Sequence, residues 1–154
     1  MEENKAASVQ ETSAEEVVHS RPRYEQKILE IIRTVNSPKL LRDKLDDYHA
    51  NDIAEAFSEL TQFEREKLYR MLGTERLTEI LEYMDEDDSA KFLSEMNIRK
   101  TIAIINEMET DKAADLLKEI DKEKREIILE LLEPEVRKRF RSYSPTMKTK
   151  SVRA

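Results

Sequence analysis

Glu109-Thr-Asp-Lys-Ala-Ala-Asp-Leu-Leu-Lys-Glu-Ile120 is the clearest copy of a pattern that fills the middle of the chain. Ala113, Leu116, Leu117 and Ile120 place one apolar stripe on a short helix, because residues three, four and seven apart share a face. The stripe returns every twelve residues. It closes at Leu60, Leu72, Met84, Met96, Met108, Ile120 and Leu132, with Phe57, Tyr69, Leu81, Leu93, Ile105, Leu117 and Leu129 three before each. Ala56, Leu68, Ile80, Phe92, Ile104, Leu116 and Ile128 stand four before. In one continuous helix, twelve steps of about 100° would leave the stripe roughly 120° from its start. The helix must therefore break in every copy, and the spacing predicts about nine helical residues and a turn of about three. Thr61, Gly73 with Thr74, Asp85, Asn97, Thr110 and Asp121 stand where such breaks need capping residues, and Thr61-Gln-Phe-Glu64 reads as a capping box. The expectation is an all-α fold, a solenoid of short helices with a repeat of about twelve residues, each burying its stripe against its neighbours.

Outward from the repeat, residues 1–22 are polar and without period, and read as a disordered leader. Ile28, Ile31, Ile32 and Val35 stripe a helix from Tyr24 to Val35 that Asn36-Ser-Pro38 stops. Ser37 to Tyr48 forms an imperfect copy through Leu41, Leu45 and Tyr48. Beyond the repeats, Pro134 suits a first helical turn, and Val136, Phe140 and Tyr143 are placed to cap the far end. The helical domain thus spans 23–143, and 144–154 reads as a basic disordered tail.

Charged residues make up 40% of the 154 and glycine occurs once, a composition of solvent-rich helices. No apolar run is long enough to cross a bilayer, and the first residues lack the apolar core of a signal peptide. The chain reads as soluble and cytoplasmic. With no cysteine, disulfides, thiol catalysis and thiolate metal sites are excluded. The net charge of −7 is unevenly spread: 134–154 holds seven Lys or Arg against one Glu, so the first 133 residues carry −13. An acidic body disfavours nucleic acid and favours cations or basic partners; the basic end suits phosphates or anionic lipid.

Enzyme motifs are absent. One glycine permits no dinucleotide fingerprint, phosphate loop or nucleophile elbow. His49, just before a helix start, reads as a turn residue, and no local signature marks partners for a triad. Asp85, Asp87 and Ser89 match the first positions of a calcium loop, but Ala90 stands where Gly is needed and Met96 where the bidentate Glu belongs. A looser carboxylate reading survives. Asp111 and Asp115, four apart, share a helix face and, with another carboxylate from a neighbouring domain or helix, suit a hydrated Mg²⁺, which keeps most of its waters. Asp87 and Asp88 form a second, less complete pair. Taken alone, both pairs also read as a solvated face with capping acids.

His49-Ala-Asn-Asp52-Ile-Ala-Glu-Ala-Phe-Ser-Glu-Leu60, the copies that follow, and Met108-Glu-Thr-Asp111-Lys-Ala-Ala-Asp115-Leu-Leu together resemble the cytoplasmic N-terminal domain of the MgtE magnesium transporters, over about Leu40 to Tyr143. The resemblance implies a right-handed superhelix that precedes CBS domains and a transmembrane domain. It implies a regulatory module that senses cytosolic Mg²⁺ through acidic residues at an interdomain interface and favours the closed state at the inner face of the cell membrane. The metal positions it implies are Glu79, Asp111 and Asp115. Lys112 stands where that motif usually has an acid, Ala50 where it often has Pro, and the residues after Tyr143 depart from a CBS start. An excised domain and a stand-alone relative both remain open. The alternative is a stand-alone helical-repeat scaffold for a protein partner, with no metal role, like the flagellar rotor protein FliG.

Overall fold

In the computed structural model, residues 24–143 are described, and the leader 1–22 and tail 144–154 lie outside them. Among the described residues there are ten α-helices and no strand: α1 (24–34), α2 (Pro38–Leu45), α3 (Ala50–Phe57), α4 (Gln62–Met71), α5 (Thr74–Glu82), α6 (Glu86–Glu95), α7 (Ile98–Glu107), α8 (Thr110–Glu119), α9 (Lys122–Leu131) and α10 (Pro134–Tyr143). Packing divides the chain into two compact units between Arg65 and Glu66, within α4.

The stripe assigned from the repeat is the core. Twenty of its twenty-one positions from Ala56 to Leu132 are buried and Met84 is half-buried, so the register holds through all seven copies. Nine plus three holds for α5 (Thr74–Glu82) with its junction 83–85, and the break geometry changes after it. From α6 to α10 each helix has ten residues and each junction two. The residue closing the stripe is already out of the helix: Met96, Met108, Ile120 and Leu132 are extended (ψ 158°, 155°, 145° and 155°), and Asn97, Glu109 and Asp121 follow with ψ of 156°, 142° and 138°. Two successive extended residues turn the chain and aim the closing side chain inward. No described residue has positive φ. The corner needs no left-handed glycine, which explains how so many helix ends coexist with one Gly.

The expected caps hold in position more often than in bonding: Thr61 and Asn97 cap through their side chains, whereas Gly73, Asp85 and Asp121 stand at N-caps without a side-chain bond. In the first unit Ser37 Oγ accepts from Leu40 N–H at 3.4 Å with Pro38 at the first helical turn, and His49 Nδ1 accepts from Asn51 N–H at 3.1 Å. Ala50 is the first residue of α3, where proline would be tolerated. The capping box forms: Glu64 N–H donates to Thr61 Oγ1 at 3.2 Å, and Thr61 N–H to Glu64 Oε1 at 2.9 Å. Arg33 of α1 then grips Glu64 from Nε at 2.8 Å and Nη2 at 3.4 Å, fixing the start of α4. Ile28 and Ile32 are buried, whereas Ile31 and Val35 are only half-buried, and α1 ends one residue before Val35. In the second unit the cap of α8 is Glu109, with Thr110 the first helical residue. Val136 and Phe140 are buried in α10 as expected; the side chain of Tyr143 lies outside the described set.

Within the second unit the main packing contacts join each helix to the second one after it: α5 to α7, α7 to α9, α6 to α8, α8 to α10. The helices therefore form two interleaved rows, and the function of any outward face depends on which row carries it.

Candidate functional site

The two-row arrangement separates the acids that the sequence singled out. Glu79 lies on α5, in the row with α7 and α9, whereas Asp111 and Asp115 lie on α8 and Asp87 and Asp88 on α6, in the other row. Asp111 sits in the first turn of α8, where the partial positive charge of the helix N-terminus favours a carboxylate, and one of its oxygens accepts from Lys112 N–H at 2.9 Å. Asp115, one turn on, is half-buried, with Lys118 Nζ 3.9 Å from Oδ1. That pair is open to solvent and, at this distance, adds little stability. Glu79 is exposed, and its Oε1 accepts from Arg76 Nη1 at 2.5 Å on the same helix. Asp87 and Asp88 are exposed in the first turn of α6.

Among the described residues no group of three or more His, Cys, Asp or Glu side chains converges on a point that could hold a metal. The structure thus keeps Asp111 and Asp115 together on one face and does not bring Glu79 to them. As a donor set, two carboxylates one turn apart fit a hydrated Mg²⁺, which takes one or two protein carboxylates and keeps its remaining waters. They do not make a closed cage. Further oxygens would have to come from outside these residues.

The structure also gives Lys112 a task that the stripe reading missed. Its Nζ donates to Glu82 O at 2.8 Å, at the C-terminus of α5. Lys100 donates in the same way to Leu72 O at 3.3 Å, and Lys124 to Ser94 O. These lysines are twelve residues apart, so each helix from α7 to α9 carries a cation for the orphan carbonyls of the helix three before it. A second series caps the preceding helix: Ser89 Oγ donates to Leu81 O at 2.7 Å and Thr101 Oγ1 to Leu93 O at 3.0 Å, both buried. Arg125 Nη1 reaches Leu117 O at 3.4 Å from the equivalent position. The period of the lysine series was visible in the sequence, whereas the second series varies as Ser89, Thr101, Ala113 and Arg125; the acceptors of both were not, because backbone carbonyls leave no trace in residue identity.

Compared with known proteins, residues 48–144 match the family model described as the MgtE intracellular N domain. No curated protein matches. Two solved structures share the fold. The soluble part of a magnesium transporter aligns with a TM-score of 0.69 at 22% identity, over 79% of this chain and 48% of that one. The cytosolic domain of the Mg²⁺ channel MgtE, in complex with ATP, aligns with a TM-score of 0.62 at 22% identity, over 68% and 44%. The chain spans about half the length of these structures or somewhat less.

Proposed function

The chain belongs to the MgtE intracellular N domain family, and from that premise we propose that residues 23–143 are a regulatory module of a magnesium transporter that senses cytosolic Mg²⁺ and favours its closed state. The observation that carries this reading is the face of α8 on which Asp111 and Asp115 stand one turn apart, outward and unclosed. A pair of that kind is half a site. CBS domains and a transmembrane domain in the same transporter would supply the partner surface, and Glu79 a contact on the other row.

On this reading Mg²⁺ supplies positive charge between carboxylates that would otherwise repel across the interface, and so biases one arrangement over another. The chain's own residues do the rest. The start of α8 holds Asp111 in place, the helical spacing sets Asp115 beside it, and Lys112 is drawn off to the end of α5, with its ammonium bound to a carbonyl. Arg76 must release Glu79, or share it, before that carboxylate can take a cation. The role is a metal-linked switch, with no reaction assigned.

Titration of Mg²⁺ into the wild type and into Asp111→Ala/Asp115→Ala, followed by NMR shifts of the α8 amides, tests it. Shifts that saturate in the wild type and vanish in the double variant support the pair. Equal responses from both would remove it from the site and favour the other reading of the fold, a FliG-like helical-repeat scaffold for a protein partner with no metal role.

A further inference from the structure

α10 carries a charge opposite to that of the rest of the chain. Its buried side is Val136 and Phe140, while Glu135, Lys138, Arg139 and Ser142, at helical spacings of three, four and seven, form an exposed stripe on the other side. Those four residues and Thr110 of α8 line one open cleft of about 630 Å³. Arg137 is already engaged, its Nη2 donating to Leu132 O and Glu130 O, so Lys138 and Arg139 are the cations that the stripe presents outward. Three more basic residues follow at Lys148, Lys150 and Arg153, against −13 on the first 133 residues.

From this segregation we infer that α10 is a docking surface for an anionic lipid bilayer, with Lys138 and Arg139 as its principal contacts. Four basic residues within five positions of α10, 137–141, reach the density that draws an amphipathic helix to acidic headgroups. The first 133 residues, net acidic, are repelled by the same surface. The stripe carries no aromatic ring on which a base could stack, which sets it apart from single-strand nucleic-acid surfaces. Attraction is electrostatic, without an inserted apolar wedge, and falls as salt rises. The inference stands apart from the metal reading, and its test is run in EDTA so that the two fail separately.

The experiment is co-sedimentation of the full chain with phosphatidylcholine vesicles, with and without phosphatidylglycerol, at low salt and at about 0.5 M salt. The wild type is expected to pellet only with the anionic vesicles at low salt. Lys138→Glu/Arg139→Glu is expected to bind at least about tenfold more weakly. Lys91→Glu/Arg99→Glu, the same charge change on exposed residues of α6 and α7, is expected to keep binding within a few-fold. Circular dichroism confirms that both variants keep their helix. Equal loss in both variants, unchanged binding in the first, or no preference for anionic vesicles would overturn the proposal. So would tighter binding of a single-stranded RNA than of the vesicles.

Discussion

Thr101 shows how much one atom decides in this repeat. It is fully buried, and its hydroxyl serves Leu93 O and Asn97 O, while the corresponding place in the next copy is Ala113. Thr101→Val keeps the shape and removes the donor, and is expected to cost about 1–3 kcal/mol in urea unfolding, because a buried carbonyl is left short of a partner. Gly73 sits at the N-cap of α5 with φ −74° and ψ 163°, and a side chain there would meet nothing within 4 Å. Gly73→Ser is therefore expected to raise stability by about 0.5 kcal/mol by capping α5. Two glutamates of the first unit carry opposite pH signatures. The hydrogen bond from Arg33, then that from Thr61 N–H, holds Glu64 below the ordinary carboxylate range, so its contribution is present above that range and lost as pH falls through its lowered value. Burial, then Glu59 and Glu55, pushes Glu25 up, so its contribution is favourable in acid and lost as pH rises through its raised value. Denaturation midpoints from pH 3 to 7 should show Glu64→Gln weaker than wild type at pH 7 and Glu25→Gln stronger, with both differences shrinking in acid.

At the scale of the helix, the apolar stripe was legible to the residue, because burial acts on side chains and side chains are what a sequence records. The corner was legible only in part. A period of twelve demands a break, but nothing in Met96-Asn97 or Ile120-Asp121 announces two extended residues rather than a three-residue turn. Thr110 attracts notice as a capping residue, yet the N-cap of α8 stands one residue earlier, at Glu109, and Thr110 is already helical. The carbonyl-capping lysines were the larger omission: Lys100, Lys112 and Lys124 recur at the repeat period but act on backbone atoms 28 to 30 residues away. Because these features share one period, deleting residues 98–109, one whole copy, should preserve helicity per residue and cooperative unfolding. Deleting four residues inside α7 should abolish cooperativity, since it throws the stripe, caps and lysines out of register together. Circular dichroism through a urea gradient distinguishes the two.

Across the whole chain, the metal reading rests on what the repeat does to acidic residues at its outward positions. Asp111 and Asp115 could be found from spacing alone, since four residues make one helical turn. Glu79 could not: it entered through resemblance, and it lies on the other row of helices, paired with Arg76. A site that uses all three must draw its geometry from a partner surface, which no reading of one chain can supply. The most direct measurement is amide hydrogen exchange on this chain, alone and mixed with a CBS-domain fragment of an MgtE transporter, each with and without millimolar Mg²⁺. The account predicts new protection around Glu79 and Asp111–Asp115 only when partner and Mg²⁺ are present together. Protection by the partner that is indifferent to Mg²⁺, or no protection under any condition, would contradict it.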